Sequence, residues 1–145
     1  MGRVLAIDYG QKRVGFAVTD ELRICANALA TVHISEAYDF LTEYLQREKV
    51  DIIVIGDPKT LQNAPSDSMR FIEPFIYRVQ KNLPDIQIIR VDERFTSKMA
   101  LQTMIDAGIS KKRRADKATV DKISATIILQ FFLLQQEIEL NRNQN

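Results

Sequence analysis

The stretch Val4-Leu5-Ala6-Ile7-Asp8-Tyr9-Gly10-Gln11-Lys12-Arg13-Val14-Gly15-Phe16-Ala17-Val18 decides the fold. Val4 to Ile7 is a continuous apolar run, the pattern of a strand buried on both faces, and it ends on an acid, Asp8. Tyr9-Gly10-Gln11-Lys12 reads as a turn. Beyond it Val14, Phe16 and Val18 alternate with Arg13, Gly15, Ala17 and Thr19, the period of a second strand. Strands joined by so short a turn pair as an antiparallel hairpin. A third strand, Ile24 to Val32, follows a turn at Asp20-Glu21.

Further along, strands and helices alternate. Ser35 is the expected N-cap of a helix to about Glu48, with Ala37, Leu41, Tyr44 and Leu45 on one face. Ile52 to Ile55 is a solidly apolar strand closed by Gly56-Asp57-Pro58, and residues 59–67 read as a loop. Met69, Ile72, Ile76, Val79 and Leu83 follow helical spacing, with Pro74 predicting a kink or a restart. Ile86 to Val91 is a strand running into Asp92-Glu93. Thr96 or Ser97 caps a helix that Gly108 ends. After a basic loop, Val120, Ile123, Ile127, Phe131, Leu134 and Ile138 trace a long final helix. The expected fold class is α/β: a five-stranded mixed sheet, an antiparallel meander followed by parallel strands added through right-handed crossovers, flanked by helices. Residues 1–138 are expected to form one domain and residues 139–145 a flexible tail.

Composition narrows the function. The chain has 145 residues, of which 46% are hydrophobic and 27% charged, so wholesale disorder is excluded. Twenty basic residues stand against nineteen acidic ones. Binding to nucleic acid must therefore use a local patch and not net charge. A single cysteine, Cys25, precludes an intrachain disulfide and fits a reducing compartment; it reads as a small buried apolar residue. No apolar stretch is long enough for a signal peptide or a membrane span, so a cytoplasmic location is expected.

In open sheets of this kind, ligands collect at the carboxyl ends of the parallel strands. Two of those strands end in acids, at Asp8 and at Asp92-Glu93. A third acid, Asp121, is expected in the first turn of the last helix, where Ser124 and Ala125 are small enough to let that helix lie close to the sheet. Asp8, Glu93 and Asp121 are thus candidates for one carboxylate site. Clustered carboxylates repel unless cations neutralise them, and hard oxygen ligands suit Mg²⁺ or Mn²⁺. Two such ions support phosphodiester cleavage. Taken singly, Asp8 reads as a turn residue, and Glu93 and Asp121 as acids complementing helix dipoles. His33 reads as an ordinary strand-end residue.

Cations surround the same rim. Lys12 and Arg13 sit at the hairpin tip, beside Gly10, which lets a phosphate approach the backbone. Lys111-Lys112-Arg113-Arg114 is the densest basic run in the chain, and backbone phosphates are its natural partner. The Gly10 to Gly15 spacing is not a P-loop, because Phe16-Ala17 stands where Lys-Ser/Thr is required.

These blocks together resemble the YqgF family, also called RuvX. Ala6 to Gly15 resembles its opening signature, and Val91-Asp92-Glu93-Arg94-Phe95-Thr96-Ser97 its Asp-Glu-Arg-x-Thr block. Asp121 with Ser124-Ala125 and Ile128-Leu129-Gln130 resembles its closing block, and Gly56-Asp57-Pro58 its Gly-x-Pro loop. The match runs in order from about residue 3 to 134. The resemblance implies an RNase H-like fold and a metal-dependent nuclease that trims the 5′ end of pre-16S rRNA in ribosome biogenesis, with Asp8, Glu93 and Asp121 as catalytic and metal-binding triad. A Holliday-junction resolvase is the alternative. Arg94 joins Lys12, Arg13 and residues Lys111, Lys112, Arg113 and Arg114 as nucleic-acid contacts, with structured RNA as partner and oligomeric state open between monomer and dimer. Thr60-Leu61-Gln62-Asn63 departs from the Asn-x-Asp-Gly stretch of many members.

Two other classes compete. A non-catalytic nucleic-acid-binding module would share the fold but not the cleavage. An actin-like ATPase would share Asp8-x-Gly10 but needs a second domain that 145 residues do not supply.

Overall fold

The computed structural model describes residues 2–10, 12–57, 69–92, 108 and 117–144, with the backbone alone for residues 57, 69–71, 92, 117–123 and 144. Five strands form one sheet: β1 (Arg3–Tyr9), β2 (Arg13–Thr19), β3 (Ala26–His33), β4 (Val50–Asp57) and β5 (Gln87–Asp92). Their spatial order is β3-β2-β1-β4-β5. β1 pairs antiparallel with β2, and β2 with β3. β4 adds parallel to β1, and β5 parallel to β4. The expected mixed sheet is therefore present, with the opening stretch at its centre. A strand with neighbours on both sides and helices on both faces has no face for water, which is why Val4 to Ile7 is apolar without alternation.

Three helices are described: α1 (Ala37–Arg47), α2 (Met69–Asn82) and α3 (Lys117–Gln144). α1 and α2 cover one face, where Leu5, Ile7, Tyr9, Phe16, Ile53 and Ile55 meet Leu41, Ile72, Phe75 and Val79. α3 covers the other, where Val4, Ala6, Ala17, Val54 and Val91 meet Ala125, Ile128, Leu129 and Phe132. The α3 face of β1 and β2 is lined by alanine and valine. Small side chains there let a helix carrying Phe132 lie close to the strands.

Several local expectations are corrected. Ser35 is not the N-cap of α1: a 3-10 turn, Ile34–Glu36, precedes that helix, and Glu36 stands at the cap without a side-chain bond. His33 takes the capping role for the turn, its Nδ1 accepting from the Ser35 N–H at 3.1 Å. α2 runs through Pro74 as one helix, and the proline itself is exposed. Cys25 is exposed, because the turn that carries it lies beyond the end of β2 and does not enter the core. α3 begins at Lys117, which puts Asp121 in its second turn, and the first turn carries no acid. The same helix continues to Gln144, so residues 139–144, expected as tail, are helical, and residues 139–143 are exposed. The helix expected after Thr96 lies outside the described residues, although Gly108 itself has φ +75°, the left-handed conformation that suits a helix-ending glycine. No helix among the described residues is long and apolar enough to cross a membrane.

Candidate active site

Asp8 is the next-to-last residue of β1. Side chains alternate along a strand, so Asp8 shares the face of Val4 and Ala6, the face covered by α3. It is half-buried. Its antiparallel neighbour is Gly15, and on the parallel side the residue after the Ile7–Ile55 pair is Gly56. Both residues beside Asp8 in the sheet are therefore glycines. Tyr9 points the other way and is buried, its ring 4.8 Å from Phe75. Burial raises its phenol pKa above the ordinary value, so the group stays neutral. This contact anchors the end of β1 on α2. Phe75 was legible in the sequence, three residues after Ile72 and four before Val79, but Pro74 beside it obscures the stripe.

The hairpin tip is fixed by main-chain bonds. The Gly10 N–H donates to Arg13 O at 2.9 Å, and the Ile34 N–H to Lys12 O at 2.9 Å. A Cβ at Gly10 would stand 2.6 Å from Arg13 O, so glycine is required here by close backbone approach. Lys12 is exposed and Arg13, the first residue of β2, is half-buried.

The direction of α3 follows from its packing. Residues 130–140 form a groove of about 960 Å³ with Leu22 to Asn27, which follow the end of β2. Because Leu5 pairs with Val18, the end of β2 lies beside the start of β1. The far half of α3 is thus at the start of β1, and its N-terminal end, with position 121, is at the rim where β1 ends. Position 121 is four residues before Ala125 and seven before Ile128, about one and two turns along the stripe that packs on the sheet. On β5, Ile89 and Val91 share the α3 face, and Val91 is two residues before Glu93.

Glu93, Arg94, Lys111, Lys112, Arg113 and Arg114 lie outside the described residues, as do the side chain of Asp121 and the divergent segment 59–68. Among the described residues no three acids, histidines or cysteines gather in a group that could hold a metal ion. The described donor at the rim, Asp8, is a hard oxygen ligand, which fits Mg²⁺ or Mn²⁺ and not a thiolate-seeking metal.

A family model described as RuvX, Holliday junction resolvase, matches residues 2–135. The chain belongs to the RuvX family. A protein of Flavobacterium psychrophilum named "Putative pre-16S rRNA nuclease" is 53% identical over 136 residues, covering 94% of this chain and 99% of its own. A protein of Parabacteroides distasonis with the same name is 45% identical over 140 residues, covering 97% and 100%. Among solved structures, Thermus thermophilus RuvC in complex with a Holliday junction substrate superposes with a TM-score of 0.56 at 13% identity, covering 93% of this chain and 96% of RuvC. At that identity the likeness shows the fold alone, and the RuvX chain has the RNase H-like architecture that its sequence predicts.

Proposed function

We propose that this RuvX-family chain is a metal-dependent endonuclease that processes the 5′ end of pre-16S rRNA in the cytoplasm, residues 1–138 forming its nuclease domain. It is a hydrolase of phosphodiester bonds. The observation that carries this reading is Asp8 at the carboxyl end of the central strand, paired beside two glycines and on the face where the start of α3 brings in position 121. Asp121 in the second helical turn no longer reads as a dipole partner, and its place on the packing stripe supports a role at the rim. Glu93, next after β5, completes the proposed triad.

Asp8, Glu93 and Asp121 would hold one or two Mg²⁺ or Mn²⁺ ions, which supply activation of water and neutralise charge on the leaving oxygen. The chain's own residues position the substrate. Gly15 and Gly56, the residues paired beside Asp8, add no charged or bulky side chain of their own next to it. Lys12, Arg13, Arg94, Lys111, Lys112, Arg113 and Arg114 would bind the phosphates on either side of it. A DNA-junction substrate is the second reading, favoured by the family model's own description.

The test is cleavage of a pre-rRNA 5′ leader and a four-way DNA junction, presented in parallel with Mg²⁺ or Mn²⁺. Wild type is expected to cut the leader, and Asp8→Asn and Asp121→Asn to lose roughly 100-fold or more, at least the loss found when supports of metal ligands are removed. Equal cleavage by wild type and Asp8→Asn would refute the triad. Preference for the junction would select the second reading, and salt-sensitive binding without any cleavage would leave only a binding module.

A further inference from the structure

The last third of α3 runs past the β2–β3 connection, where Leu134, Gln136, Glu137 and Leu140 line a groove with Leu22 to Asn27. From Leu134 to Asn143 no residue belongs to the core and all are exposed, including Leu134 at 52% and Ile138 at 49%. Such residues on a solvated helix would ordinarily be polar. Their order is specific. Phe131, Leu134, Ile138 and Asn141 follow at intervals of three, four and three residues, the spacing of coiled-coil a and d positions, with Phe131, half-buried against the chain's own core, and Ile138 at a, and Leu134 and Asn141 at d. A β-branched residue at a beside leucine at d favours two strands in parallel.

The flanking charges agree. In a parallel pair, a g residue meets the e residue five positions later on the partner. Here g is Glu137 and that e is Arg142, so a two-fold axis along the seam makes two opposite-charge pairs. The preceding pair is Gln130 with Gln135, which is neutral. An antiparallel pair would oppose e to e and g to g and would leave Glu137 without Arg142. We propose that α3 pairs with α3 of a second copy of this chain, in parallel, through Leu134 and Ile138, with Glu137 of each copy against the partner's Arg142. The partner is a second copy because the seam is complementary to itself under two-fold rotation. α3 of both copies then runs the same way, so both Asp8 rims face the same side of the dimer. This inference does not rest on which nucleic acid the chain cleaves.

Sedimentation equilibrium of the full chain, from low to high micromolar, tests it. Wild type is expected to be a dimer, and Leu134→Asp and Ile138→Glu monomers with unchanged circular dichroism, since both side chains are exposed. Glu137→Arg alone should weaken the dimer at least tenfold, and Glu137→Arg with Arg142→Glu should restore it. In a Cys25→Ser background, Asn141→Cys should form an intermolecular disulfide under mild oxidation, because only the parallel register brings position 141 against its own copy. A monomer at all concentrations, or a dimer indifferent to Leu134→Asp and Ile138→Glu, would overturn the proposal. A dimer that Asn141→Cys does not link would overturn its parallel register.

Discussion

Thr19 is fully buried at the end of β2, a polar residue in an apolar layer. Its Oγ1 accepts from the Val4 N–H at 2.9 Å, and its carbonyl accepts from Arg3 Nη1 at 2.9 Å. The first bond satisfies a backbone donor where β1 enters the sheet. Thr19→Val keeps the shape and orphans that donor, so it should lower stability by about 1–3 kcal/mol in urea titration while leaving any cleavage by the folded protein unchanged. Asp8 is the opposite case: half-buried, at a strand end, and flanked by glycines, it has the setting of a residue placed for chemistry. Its type and position at the close of an apolar run were legible in the sequence. The glycine on each side was visible as a letter but not as a neighbour, since Gly15 and Gly56 come beside Asp8 only through strand pairing.

At the scale of elements, α3 couples core to rim. Ala125, Ile128 and Leu129 are fully or almost fully buried against β1, β2 and β4. Ile128→Ala removes a fully buried side chain and should cost about 2–5 kcal/mol. Because position 121 lies two turns before it, the same variant should also raise the metal concentration needed for cleavage, measured by Mg²⁺ titration of activity. The periodicity of α3 was readable from Val120 to Ile138, but its start was not: Lys117 to Thr119 carry no large apolar residue, and the helix begins there all the same. Ser35 misled for a related reason. A serine before an apolar run is a good cap by composition, yet the Ser35 N–H donates to the His33 ring and Ser35 itself lies inside a 3-10 turn.

The whole molecule is tied at the edge opposite the rim. Asp51, at the start of β4, accepts from the Gly2 N–H at 2.7 Å and from Arg23 Nη2 at 3.1 Å, while Arg23 Nε donates to Gly2 O at 2.9 Å. Three distant segments meet there, and Arg23 holds φ +57° to do so. The Gly2 amide, with Lys49 and Arg23 nearby, holds the Asp51 carboxyl below the usual aspartate range. A depressed folded pKa stabilises the fold at pH above the unfolded aspartate value of about 3.9 and loses that contribution as pH falls through the folded value. Asp51→Asn should therefore be less stable than wild type at neutral pH, with the gap closing below about pH 4, as read from urea midpoints across pH. By itself the sequence determined the order of strands and helices, the buried central strand and the acids that end strands, because hydrophobic period and strand-end chemistry are local. Only the tertiary structure decided that Asp8 stands between two glycines, that α3 runs back to bring position 121 to the same end, and that Arg23 closes on Asp51. Those facts depend on register and helix direction, which are set by packing between residues far apart in the chain.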